Sequence, residues 1–252
     1  MNSSRFDFKQ FSIIRTYSAM KLTTDAVLLG AWSVNKVLYK KALDVGTGTG
    51  VLSLILAQYN QDAEITAIDI DDGSIVDANL NFSNSRFSSK INLFNMDFRD
   101  YQTLDKKCYF DFIICNPPYF NKSLDYHNSA REYARCSDNA LTANNLFEGV
   151  VFLLSDGGFF SMVIPIDRAD EYILSASNNG LSLLQRQNIS SIKGYTPYVS
   201  LLLFTKISIT EHELNMNLFN EYKNTNKTEF LFEDKCEKSF FWKNLTKDLY
   251  LR

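Results

Sequence analysis

Two periods of apolar spacing alternate along this chain, and the places where one gives way to the other mark out its elements. Phe6-Asp7-Phe8-Lys9-Gln10-Phe11-Ser12-Ile13 begins by alternating apolar and polar, as an exposed strand or a hairpin arm does. Val27, Leu28, Ala31 and Trp32 then share one face of a helix over roughly residues 25–34. Thr23 or Thr24 can cap that helix, and Asp25 sits near its positive end. Strand-like runs follow at 42–45, 64–69 and 91–94, with helical patterns at 51–59 and about 73–83 after the first two. A fourth run, Phe110-Asp111-Phe112-Ile113-Ile114-Cys115, has the length and composition of a buried strand.

Residues 121–139 are polar and without period. They read as a loop beside that strand's end, either a lid or substrate clamp or an unordered insertion. A strong amphipathic helix spans 141–155, with Thr142 or a neighbour as its cap and Asp156-Gly157-Gly158 as its stop. A fifth strand covers 159–165, and a helix covers 168–178 with Gly180 beyond it. Runs 183–192 and 199–206 form an antiparallel pair at the sheet edge. Past residue 209 the chain is charged, aromatic-rich and weakly periodic, an appendage and not a second domain. Strands alternating with helices give an α/β fold on a largely parallel sheet.

Composition narrows the function classes. The 252 residues are 45% apolar, ordinary for a globular protein with a core. No apolar run approaches membrane-spanning length, and the first residues carry no signal-peptide core, so a cytoplasmic protein is expected. The four cysteines form no CxxC pair and there are two histidines, which points to reduced thiols and no metal. A net charge of −3 counts mildly against a nucleic-acid partner and does not exclude one, because a local basic patch is enough. Arg5, Lys9, Arg15 and Lys21 near the N-terminus, and Arg131, Arg135, Arg186 and Lys193, are such candidates or simply solvated surface.

The chemistry concentrates at two turns. Asp44-Val45-Gly46-Thr47-Gly48-Thr49-Gly50 links the first strand to its helix, where glycines admit positive φ and close approach of a ligand. Asp69 ends the second strand, placed to accept ribose hydroxyls, and Asp97, with Phe98 beside it, follows the third, placed to meet an adenine amine. Val51 stands where a dinucleotide site wants a small residue, which favours adenosyl-methionine over NAD.

The second turn is Asn116-Pro117-Pro118-Tyr119 at the end of the fourth strand, which two prolines cannot continue. It is either a plain strand stop or a cradle. As a cradle, the Asn116 side-chain oxygen and the Pro117 carbonyl accept the two N–H groups of an aromatic amine. Tyr119 stacks the base, and Pro118 and Phe120 add apolar wall.

Asp44–Gly50, Asp69, Asp97 and Asn116 to Tyr119, in that order, resemble the motifs of class I adenosyl-methionine-dependent methyltransferases that act on amines. Phe8-Lys9-Gln10-Phe11, Met20-Lys21-Leu22-Thr23-Thr24-Asp25 and Leu28-Leu29-Gly30-Ala31-Trp32 resemble the N-terminus of bacterial tRNA1(Val) adenine-N6 methyltransferases. So do Arg131 to Arg135 with Leu141, and Leu245-Thr246 with Leu249-Tyr250-Leu251. The resemblance implies a Rossmann-like, seven-stranded, mostly parallel sheet with helices on both faces, in one domain over 1–209. Within it, 1–40 is an extension, and 210–252 packs on the same domain. It also implies S-adenosyl-L-methionine as cofactor, with Thr24 and Asp25 closing over its methionine end. A tRNA would be the partner, Arg131 and Arg135 meeting phosphates and Lys193 adding a contact, with a monomer acting on the adenine beside the anticodon. Similar Asn-Pro-Pro-Tyr turns serve enzymes methylating DNA adenine, guanine N2 and release-factor glutamine. A nucleotide-binding module without catalysis is the rival of another class.

Overall fold

The computed structural model describes residues 3–101, 106–117, 141–206, 226–234 and 237–250. Eight strands form one sheet: β3 (Lys41–Val45), β4 (Glu64–Asp69), β5 (Ile91–Asn95), β6 (Phe110–Cys115), β7 (Leu154–Pro165), β8 (Ser182–Ile192), β9 (Val199–Thr205) and β10 (Asn226–Phe232). Their order is β10-β8-β9-β7-β6-β3-β4-β5, and β9 alone runs antiparallel to its neighbours. A separate two-stranded hairpin, β1 (Ser4–Asp7) with β2 (Ser12–Arg15), precedes the sheet.

The strands alternate because both sheet faces are covered. On β6, Phe112 and Ile114 point to one core cluster while Phe110, Ile113 and Cys115 point to the other. β9 repeats this, with Leu201 and Leu203 on one side and Leu202 and Phe204 on the other. The first face carries α1 (Thr24–Val34), α2 (Val51–Tyr59), α3 (Asp72–Ser83) and α7 (Phe240–Leu245). The second carries α4 (Phe98–Tyr101), α5 (Ala143–Leu153) and α6 (Ala169–Asn178). Helix α1 is buried on every side from Ala26 to Ser33, not along one stripe, because α2, β7, β9 and α7 all pack on it. Its cap is Thr23, whose hydroxyl accepts from the Ala26 N–H at 3.2 Å.

Two expectations are corrected. The sheet has eight strands where seven were expected: residues from the tail add β10, parallel to β8, so the antiparallel pair is no longer the edge. Helix α5 ends at Leu153, and β7 starts at the next residue. Asp156-Gly157-Gly158 does not stop the helix. It loops out within β7, where register jumps from Phe110↔Leu154 to Phe112↔Phe159 and Gly157 takes φ 75°. The Lys206 ammonium donating to the Leu154 carbonyl at 2.9 Å ties down that bulge.

Candidate active site

Register builds the site. Val45 pairs with both Ile68 and Cys115, and Asp69 pairs with Asn95. The residues just beyond these strands therefore line up along one edge in the order Asp97, Asp69, Gly46, Asn116. The chain leaves β3 towards β4 and β5 on one side and returns to β6 on the other. The crevice between Gly46 and Asn116 is thus the topological switch point, where ligands of open α/β sheets bind.

The glycine turn is locked from beneath. Asp44 is fully buried, and its Oδ2 accepts from Thr47 Oγ1 (2.7 Å), Ser53 Oγ (2.7 Å) and Ser53 N–H (3.1 Å). Ser53 sits in the first turn of α2, so one carboxylate staples strand, turn and helix together. Burial, only partly offset by these bonds, pushes Asp44 up to about 6. From above, the Gly48 N–H donates to Asp69 Oδ2 at 2.7 Å, and the Asp71 N–H donates to Asp69 Oδ1 at 2.9 Å. Burial is also the main reason Asp69 is raised from its ordinary value. Gly48 has φ 56° and no described residue where a Cβ would lie, whereas a Cβ on Gly50 (φ 85°) would meet the Phe82 ring at 2.3 Å. The first glycine therefore leaves room for a ligand, and the second lets α2 approach α3.

Other expected residues fall around this core. Thr24 is exposed at the start of α1. Asp25, half-buried, accepts from the Tyr198 hydroxyl at 2.9 Å, and its carboxyl is raised chiefly by burial. Asp97 is gripped by Arg99, which donates its backbone N–H (2.8 Å) and Nε (3.0 Å) to Oδ1 and Nη2 to Oδ2. The guanidinium holds that carboxyl below its usual range. Phe98 is buried in the second cluster, so its ring serves the core. Asn116 and Pro117 are half-buried at the end of β6. Lys193 lies past β8, in a 3.2 Å ion pair with Glu233. Pro118, Tyr119, Phe120, Arg131, Arg135 and the loop 121–139 lie outside the described residues.

Asp77 and Asn81 went unnoticed in the sequence. Both are buried on α3, where Asp77 Oδ2 accepts from the N–H groups of Thr16, Tyr17 and Ser18 at 2.8–2.9 Å. Asn81 bonds Ile14 through both its N–H and its carbonyl, and also donates to the Thr49 carbonyl. Together they dock the segment leading to Thr24 and Asp25 against the glycine turn. Their spacing of four, on one helix face, was the only signal.

The edge fits a nucleoside bonded to an amino acid. Asp44 Oδ1 is buried with no hydrogen-bond partner among the described residues, an acceptor suited to an ammonium. Among the described residues nothing fills the space over Gly46 and Gly48. Asp69 keeps a second lone pair on each oxygen for ribose hydroxyls. Among the described residues no cluster of three His, Cys, Asp or Glu could hold a metal, and no helix is long and apolar enough to cross a membrane.

Comparison with known proteins bears on the family and the fold. The methyltransferase small domain family model matches residues 16–164. A tRNA1(Val) (adenine(37)-N6)-methyltransferase of Bacteroides thetaiotaomicron is 41% identical over 201 residues, 79% of this chain and 83% of that protein. This chain belongs to that methyltransferase family. The enzyme of the same description from Vibrio campbellii is 35% identical over 98% of this chain and 95% of its own, tail included. Among solved structures, a "predicted O-methyltransferase" from Agrobacterium tumefaciens matches with TM-score 0.63 at 16% identity, over 89% of this chain and 96% of that one. At that identity the match speaks for the fold, the class I methyltransferase architecture with a Rossmann-like sheet.

Proposed function

We propose that the chain methylates N6 of an adenine beside the anticodon of a tRNA1(Val)-like tRNA, using S-adenosyl-L-methionine. The observation that carries this is the β3–β6 register, which sets Asn116 and Pro117 beside Gly46 across the switch point. When bound, the cofactor supplies a sulfonium methyl with a good leaving group, so the site needs no strong base. Asp44 Oδ1 faces the ammonium, Asp69 takes the ribose hydroxyls, Asp97 and the backbone at Phe98 take the adenine, and Thr24 and Asp25 close the methionine end. Asn116 Oδ1 and the Pro117 carbonyl each accept one N–H of the target amine. That draws its nitrogen towards a tetrahedral shape and turns the lone pair on the methyl carbon. Tyr119, Pro118 and Phe120 enclose the base, and Arg131, Arg135 and Lys193 hold the RNA. An adenine in a loop is only partly stacked, so moving it into such a pocket is cheaper than extracting one from a duplex.

In this reading the enzyme works in the cytoplasm as a monomer, without a metal. Residues 1–209 form the methyltransferase domain with 1–40 as its extension, and 210–252 pack on it. The test is to incubate the chain with labelled cofactor and bulk tRNA, then digest and identify the modified nucleoside, with release factor as a parallel substrate. N6-methyladenosine in the tRNA arm is expected. Label in the release factor alone would replace this reading with glutamine methylation.

A further inference from the structure

The tail takes no part in the chemistry proposed above, yet it walls a groove of about 570 Å³. Phe6 of the hairpin, Tyr198 ahead of β9, Phe232 at the end of β10, and Lys238, Trp242 and Tyr250 of the tail line it. Strand direction fixes where it lies. Pro165, the last residue of β7, pairs with Val199, the first of β9, and β8 and β10 run in the direction of β7. The ends of β8 and β10 therefore emerge on the same sheet edge as Asn116. Thr24 also lines the groove, and the Tyr198 hydroxyl is bonded to Asp25. Four strand spacings separate β10 from β6, about 19 Å.

The lining suits unstacked bases. Phe6 is 42% exposed and Tyr198 36%, large values for aromatic rings. Phe6 is braced by Phe8 (4.9 Å) and Tyr250 (5.8 Å), and Tyr250 by Trp242 (5.8 Å), so the platform is held in place before anything stacks on it. The Lys238 ammonium stands 5.4 Å from the Tyr250 ring and pairs with no described carboxylate, which leaves it for a phosphate. The one acid on the wall near Phe6, Asp7, is already satisfied by Arg5 (2.8 Å) and Ser12 (2.6 Å). With a net charge of −3 the protein as a whole does not attract RNA, so grip must come from local aromatic and cationic sites such as this one.

We propose that the groove holds one or two bases of the substrate RNA, several nucleotides from the methylated adenine, stacked on Phe6 and Tyr198 with Lys238 at the adjoining phosphate. This rests on the reading of the substrate as tRNA. The experiment compares the full-length chain with Phe6→Ala and Lys238→Glu, both on exposed side chains, using tRNA and a stem-loop RNA carrying abasic sites at successive loop positions. Each variant is expected to raise the KM for tRNA about tenfold, with kcat, cofactor affinity by calorimetry and thermal midpoint near those of the parent. One abasic position should weaken the parent and leave Phe6→Ala unaffected. If the parent methylates tRNA and both variants keep its KM, the groove inference is overturned and the function stands. A parent that transfers no methyl to tRNA strikes the function itself. A parent dimer that either variant dissociates would also overturn the inference, because the groove would then seat a second copy.

Discussion

The two halves of the reactive edge are held by different forces. Around the glycine turn, two carboxylates are fixed by short bonds between elements close in the chain: Asp44 to Thr47 and Ser53, Asp69 to Gly48 and Asp71. Towards β10, the edge is assembled from the chain's two ends and depends on ring packing and the Tyr198–Asp25 bond. The first arrangement tolerates little displacement and suits a ligand of invariant shape. The second is braced by less directional ring contacts and presents flat faces that suit a longer, variable polymer. One sheet edge thus combines a seat fixed by polar bonds with one braced by rings.

Asn116→Ala separates the two halves most sharply. Losing one of two acceptors on the amine should lower methyl transfer on the order of 10²–10³-fold, as loss of one oxyanion donor does elsewhere. Calorimetric cofactor affinity should stay near that of the parent, and near-normal turnover would remove the cradle.

Next in size is a pair of glycine substitutions. Gly50→Ala must move the Phe82 ring as well as accept φ 85°, and should lose about 3 kcal/mol in denaturant unfolding. Gly48→Ala meets open space and should lose about 1–2 kcal/mol, yet impair cofactor binding more, because its methyl occupies the seat. Equal effects on both measurements would break the distinction between ligand-facing and packing glycines.

A smaller effect should appear with pH. Asp44 titrates near 6 in the folded protein, above its ordinary 3.8. The folded chain thus holds this proton more tightly than the unfolded one, and as pH falls from about 6 to 4 this group favours folding. Binding of an ammonium needs the ionised form, so cofactor affinity should drop about tenfold between pH ~7.5 and ~5, where about nine-tenths of Asp44 is protonated. Asp44→Asn should bind weakly at both pH values with a flatter profile; a profile as steep as the parent's would place the titration elsewhere.

The smallest effect is expected from Tyr198→Phe, which removes the hydroxyl on Asp25 but keeps a ring for stacking. It should weaken cofactor affinity by a few-fold, in keeping with roughly 1 kcal/mol for one hydrogen bond, and leave the KM for RNA unchanged. A larger rise in the RNA KM than in the cofactor Kd would show that the hydroxyl itself serves the RNA.

What could be read in advance follows the same division. Helix α2 and strands β4 and β6 begin and end where apolar spacing puts them, and the glycine turn with Asp69 is legible because its partners lie within about two dozen residues. Strand β10 escaped notice. Its sequence, Asn-Lys-Thr-Glu-Phe-Leu-Phe, starts polar and ends apolar, so no alternation marks it. Asp77 reads as a solvated carboxylate on a helix until the segment from Thr16 to Ser18 is laid across it. Phe6 and Tyr250 carry no mutual signal at all, since only the completed fold brings them together.

That meeting has a consequence for biosynthesis. The Lys9 N–H donates to the Leu249 carbonyl, and Phe8 stacks on Tyr250 at 5.7 Å, so Phe8 and Lys9 find these partners only once Leu249 and Tyr250 have left the ribosome. The glycine turn and its partners can form on a nascent chain, whereas the aromatic platform cannot exist before Tyr250 has emerged. A chain interrupted ahead of Trp242 would have its glycine turn in place and lack the platform proposed to meet RNA.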